Sequence, residues 1–208
     1  TVPPGWYDIS LPLKQGMHNL VLDPVKPKIY RLHDRELGSP VTITMLEMLS
    51  HTGTHIDCPL HFIHGGSTVS DMALDATVGP ARVIEIKDPR VITPEELEQY
   101  DIQEGERILI KTLNSVRTPR VYESVEWIED YVYLGGEAAV YLAEKKIRLF
   151  GMDCITVGYF KDNDSIMAFV ARPFADRVGV VAQPLYADAH RAASSSRPTT
   201  NSAASDAS

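Results

Sequence analysis

Three observations predict a single-domain α/β fold for this chain. Its 208 residues suffice for one good-sized hydrophobic core and are too few for two comfortable ones. The apolar fraction of 44% is that of an ordinary globular protein. Short β-branched runs alternate with helix signals, and residues 131–152 read strand–helix–strand, the βαβ order of a parallel pair.

Taken in order, residues 6–10 alternate apolar and polar side chains and predict a short strand. Residues 11–27 hold Pro12, Gly16, Pro24 and Pro27 and predict an irregular connection. A strand follows over 41–49, with shorter ones over 81–86 and 107–111. Between those two, Thr93 suits an N-cap, Pro94 the first helical position, and Glu96 the far end of a capping box. Residues 131–134 predict a strand, Gly135-Gly136 a turn, 137–146 an Ala/Leu-rich helix and 147–152 an apolar strand. Asp153 then falls at the carboxyl end of a strand, where α/β folds tend to place chemistry. A turn or cap residue is an equal expectation there. From about residue 187 the chain is Ala/Ser/Thr/Pro-rich, too poor in large apolar groups to offset its ordering entropy. The expected organisation is one domain over 1–186 and a disordered tail over 187–208.

Composition excludes several function classes. A formal net charge of −8 disfavours a surface that tracks phosphates, which needs clustered Lys and Arg. No run approaches the roughly 18 consecutive apolar residues needed to span a bilayer. Residues 1–20 lack the basic start and apolar centre of a secretory signal. Two cysteines, Cys58 and Cys154, are no disulfide scaffold at this length and fit a reducing, cytoplasmic setting. No phosphate loop, dinucleotide fingerprint or Gly-x-Ser-x-Gly elbow is present.

The informative stretch is His51-Thr-Gly-Thr-His-Ile-Asp-Cys-Pro-Leu-His61-Phe62, with three histidines and one aspartate in the eleven positions 51–61. Imidazole and carboxylate are the usual ligands of zinc, manganese and related ions. Gly53 and Pro59 argue against a helix. On an extended chain His51, His55, Asp57 and His61 share one face. His55 and Asp57 would then stand about 7 Å apart along the strand, close enough to converge on one ion. His51 and His55 would be roughly 13 Å apart, so the backbone must curl between them, and Gly53 is where it can. His33 and His64 read as surface or loop residues, His18 carries no role, and Cys58 reads as an inert thiol.

This motif resembles the signature of the cyclase family of metal-dependent hydrolases, which includes bacterial kynurenine formamidase. Tyr7-Asp8-Ile9-Ser10-Leu11-Pro12 resembles the family's opening strand, and Thr93-Pro94-Glu95-Glu96-Leu97 and Gly151-Met152-Asp153 fall in the family's order. The resemblance covers roughly residues 6–165 and implies a swivelling β/β/α fold, assembled as a homodimer or larger homo-oligomer. It implies His51, His55 and Asp57 as metal ligands, with Asp57 bridging a second metal where one is present, and His61 as the catalytic acid/base. The implied reaction is hydrolysis of a small amide, such as deformylation of N-formylkynurenine to kynurenine and formate. The implied cofactor is a divalent ion, zinc first and manganese second.

That chemistry is sound without the family. A divalent ion acidifies a bound water that attacks an amide carbonyl, and steadies the oxyanion. An imidazole supplies the proton that the leaving nitrogen needs. His61 is the candidate, with a fourth ligand or a hydrogen-bond partner as its alternatives. Past Ser165 the resemblance stops. Two-metal members carry a His and a Glu in this region, where residues 166–180 hold neither, so one ion per chain is expected; Asp188-Ala189-His190 lies too late to replace them. Two other readings stay open. One is a family hydrolase acting on a cyclic imide or lactone; the other is a metal-binding protein without activity.

Overall fold

The computed structural model describes residues 4–17, 26–87, 90–119, 128–154, 156–159, 161 and 180–182. The expected tail, His18, His190 and most of the segment past Ser165 lie outside the described residues.

Two strands come first, β1 (Lys28–His33) and β2 (Ile43–Glu47), paired antiparallel as a two-stranded ribbon. The predicted strand over 41–49 is thus present in shortened form. A short strand β3 (His55–Asp57) follows, then β4 (Arg82–Glu85), β5 (Val91–Ile92), helix α1 (Pro94–Glu98) and β6 (Arg107–Lys111). After them come β7 (Tyr133–Leu134), helix α2 (Gly136–Glu144), β8 (Leu149–Met152) and β9 (Val180–Ala182). Strands and helices alternate through the second half, as an α/β fold requires.

The main sheet has the order β3-β9-β8-β6-β4. Strands β4, β6, β8 and β9 are parallel, and β3 closes one edge antiparallel to β9. Strand β9 arises in the stretch where the resemblance ends, and it supplies the backbone partner for His55–Asp57. The central strands β6 and β8 bury Ile108, Ile110, Phe150 and Met152, which explains their near-continuous apolar sequences. Helix α2 lays Ala138, Ala139, Leu142 and Ala143 into the interior. Its small residues let it sit close to its neighbours, and Leu142 fills the same core as Ile84, Ile92, Leu97 and Leu134.

Three sequence expectations need correction. Residues 6–10 form no strand; Leu11 N–H donates to the Thr54 hydroxyl and Thr54 in turn donates to the Ile9 carbonyl, so this segment is held by a side chain rather than a ladder. The pair flanking α2 does not pair with itself: β7 joins β5 in a separate two-stranded sheet, while β8 joins β6. The order of elements was legible, but neighbours are chosen by which faces can be buried, and β6 and β8 are the strands with long apolar runs. At α1, Pro94 does occupy the first turn, yet Thr93 makes no capping hydrogen bond, its hydroxyl going instead to the Glu95 carboxylate. The capping box forms at Thr68 and Asp71, where both reciprocal bonds are present.

Candidate metal centre

The backbone curls where glycine was expected to let it. Gly53 has φ +67, a left-handed value that glycine adopts without steric cost. A Cβ there would lie 2.9 Å from Leu13 Cδ2, so the opening segment packs directly on the turn. The Thr54 hydroxyl ties the same segment down through Leu11 and Ile9. Sequence reasoning passed over Thr54; its place between the bending glycine and His55 was the available signal.

The curl reverses the chain so that His51 faces the strand carrying His55 and Asp57. His51 Nδ1 stands 3.1 Å from His55 Nε2 and 3.1 Å from Asp57 Oδ1, and His55 Nε2 is 3.6 Å from the same oxygen. Three donors bound to one ion at 2.0–2.2 Å must be separated by roughly 2.8–3.6 Å, depending on tetrahedral or octahedral angles. The triangle fits a small divalent ion. The three side chains are only 8–20% exposed, enough to keep one side open to water.

His55 is oriented by its other nitrogen, whose Nδ1 lies 2.9 Å from the Gly53 carbonyl. A carbonyl only accepts, so Nδ1 carries the proton and Nε2 keeps its lone pair toward the triangle.

His61 comes to the site by a different route from the one its odd number suggested. The strand ends at Asp57, and Pro59 opens a 3-10 turn over Pro59–His61 that swings the imidazole back. Its ring centroid lies 4.4 Å from that of His51. His51, Asp57 and His61 also each offer a ligand atom within 4.8 Å of one another. Two donors on one ion cannot stand more than about 4.4 Å apart; the triangle with His55 meets that limit on all three sides, and His61 stands beside it. Burial lowers the His61 pKa from the ordinary imidazole value, with the neighbouring Asp57 charge pulling it upward. Phe62 stacks edge-on against His61, with centroids 4.3 Å apart, and is itself exposed.

The other candidates are elsewhere. His33 and His64 are exposed, as expected of surface histidines. Cys58 is half-buried and Cys154 buried, both as free thiols, and burial drives the Cys154 thiol well above its usual range. Asp153, at the end of β8, is tied to residues far from it in the chain. It is fully buried, and its carboxylate accepts from Thr112 N–H at 2.7 Å, from Thr112 Oγ1 at 2.8 Å and from the Ser115 hydroxyl.

Comparison with known proteins gives the same outline. The Cyclase family model matches residues 7–159. Over 160 residues the chain is 34% identical to a kynurenine formamidase of Bacillus cereus, covering 76% of this chain and 73% of that one. A solved structure of a predicted metal-dependent hydrolase from Bacillus stearothermophilus is 29% identical with a TM-score of 0.66, covering 85% of this chain and 80% of that one. Isatin hydrolase A from Labrenzia aggregata has a TM-score of 0.69 at 22% identity, over 88% of this chain and 81% of that one, a likeness of fold.

Proposed function

This chain belongs to the cyclase family, and from that premise we propose a metal-dependent amide hydrolase of the kynurenine formamidase type, which removes the formyl group of N-formylkynurenine. It is a hydrolase of mixed strands and helices in one domain, and no described helix is long and apolar enough to cross a membrane. The observation that carries the reading is the triangle of His51 Nδ1, His55 Nε2 and Asp57 Oδ1, with sides of 3.1, 3.1 and 3.6 Å.

His51, His55 and Asp57 would hold the ion, and two nitrogens with one oxygen suit zinc first and manganese second. When bound, a divalent ion acidifies water and stabilises negative charge on a carbonyl oxygen. The chain's own residues do the rest. The Gly53 carbonyl fixes the proton of His55 on Nδ1. His61, beside His51 and outside the triangle, holds a proton on an imidazole nitrogen and passes it to the departing amine. Burial holds its pKa below the ordinary imidazole value, against the pull of the Asp57 charge, and so favours the neutral form. The exposed ring of Phe62 gives an aromatic substrate an apolar surface beside that imidazole. The hydrolase unit spans 1–186, acts in the cytoplasm on a small molecule, holds one ion per chain and assembles as a homodimer or larger homo-oligomer.

The test is turnover of N-formylkynurenine by zinc-loaded protein, with metal content measured on the same sample. Formation of kynurenine and formate, abolished by chelation and restored by zinc, is the expected result. Turnover confined to cyclic imides or lactones would assign the alternative substrate class.

A further inference from the structure

Segment 9–16 belongs to no strand or helix, yet it is fastened at both ends. Ile9 packs on Leu109 of β6, as Val83 does. At the far end the Gly16 N–H donates to the Pro27 carbonyl at 2.9 Å, and the Ile29 N–H donates to the Gln15 side-chain oxygen, so the segment is tied to the start of β1. Between those anchors it meets the turn that carries His51 and His55. Leu13 Cδ2 stands 2.9 Å from where a Cβ on Gly53 would be. Thr54 Oγ1 accepts from the Leu11 N–H at 3.0 Å and donates to the Ile9 carbonyl at 3.4 Å.

That last pair has the form of one rung of a parallel ladder, in which a residue bonds the carbonyl before its partner and the N–H after it. Here a single hydroxyl does both, since it carries one proton and free lone pairs. The residues on either side of Thr54 lead directly to the metal donors. Gly53 supplies the carbonyl that holds His55 Nδ1, and His55 sets Nε2 in the triangle with His51 and Asp57. A shift of segment 9–16 is therefore passed to the donors through one side chain.

We infer that Thr54 is a positioning residue, through which segment 9–16 acts as a strap that sets how the turn presents His51 and His55 to an ion. The inference rests on the metal centre proposed above and is independent of the substrate. Zinc affinity of the full chain, measured by competition with a chromophoric chelator, is compared in the wild type, Thr54→Val and Thr54→Ser. Valine keeps the shape and removes two hydrogen bonds of ordinary net strength, so zinc should bind about tenfold more weakly or worse. Serine keeps the hydroxyl and should stay within about threefold of the wild type. With cobalt in place of zinc, Thr54→Val should show an altered visible spectrum and Thr54→Ser the wild-type one, a change that a loss of overall stability would not produce. Coupling is reciprocal, so saturating zinc should slow amide exchange of a wild-type peptide spanning residues 9–17 by about threefold or more. That measurement decides the matter even if Thr54→Val fails to fold. Wild-type zinc affinity and cobalt spectrum in Thr54→Val, or exchange that zinc leaves unchanged, would overturn the strap alone. A wild type that binds no zinc would overturn the strap and the metal centre together.

Discussion

His55 turns its Nδ1 onto the carbonyl of Gly53, two residues earlier and 2.9 Å away, and that contact aims its Nε2 at His51 and Asp57. One glycine therefore does two things: its left-handed φ brings His51 round, and its carbonyl fixes the tautomer of the next histidine.

Gly53→Ala should accordingly damage fold and site together. Forcing a Cβ into a left-handed dihedral costs about 1–2 kcal/mol, and the new methyl group meets Leu13 as well. Thermal unfolding should show the loss, and zinc affinity should fall in the same variant. An unchanged melting temperature and zinc affinity would mean that the turn does not set the triangle.

Single substitutions of His51, His55 and Asp57 by Ala should each release the ion, since each removes one of three donors. Elemental analysis after dialysis is the measurement. Full metal content in all three variants would remove the site from this part of the chain.

His61→Ala should behave differently. It should retain zinc while losing on the order of 10²–10⁴ in kcat, the usual weight of a general acid or base. Metal loss in this variant would make His61 a ligand, which its nearness to His51 and Asp57 makes a real competitor.

Asp153→Ala should unfold the protein more readily without touching the site directly. It strands three buried donors, Thr112 N–H, Thr112 Oγ1 and the Ser115 hydroxyl, each worth about 1–3 kcal/mol when left unpaired. Denaturant titration should show a loss of several kcal/mol. A loss below about 1 kcal/mol would show that water replaces the carboxylate freely.

Much of this was legible in the chain alone. Strand β6 was readable from Arg107-Ile-Leu-Ile-Lys, and helix α2 from its Ala/Leu run, because local propensity and burial agree there. The candidate ligands were readable from the residue types, and the need for a bend at Gly53 from the spacing of His51, His55 and Asp57. Tertiary structure decided what spacing cannot carry. It chose β6 rather than β7 as the neighbour of β8, since pairing follows which faces can be buried and not chain order. It brought His61 back over a 3-10 turn after Pro59, and joined Asp153 to Thr112 and Ser115, some forty residues earlier in the chain. Local sequence fixes dihedrals and donor types, whereas contacts between distant residues form only when the core closes and each buried polar group must find a partner.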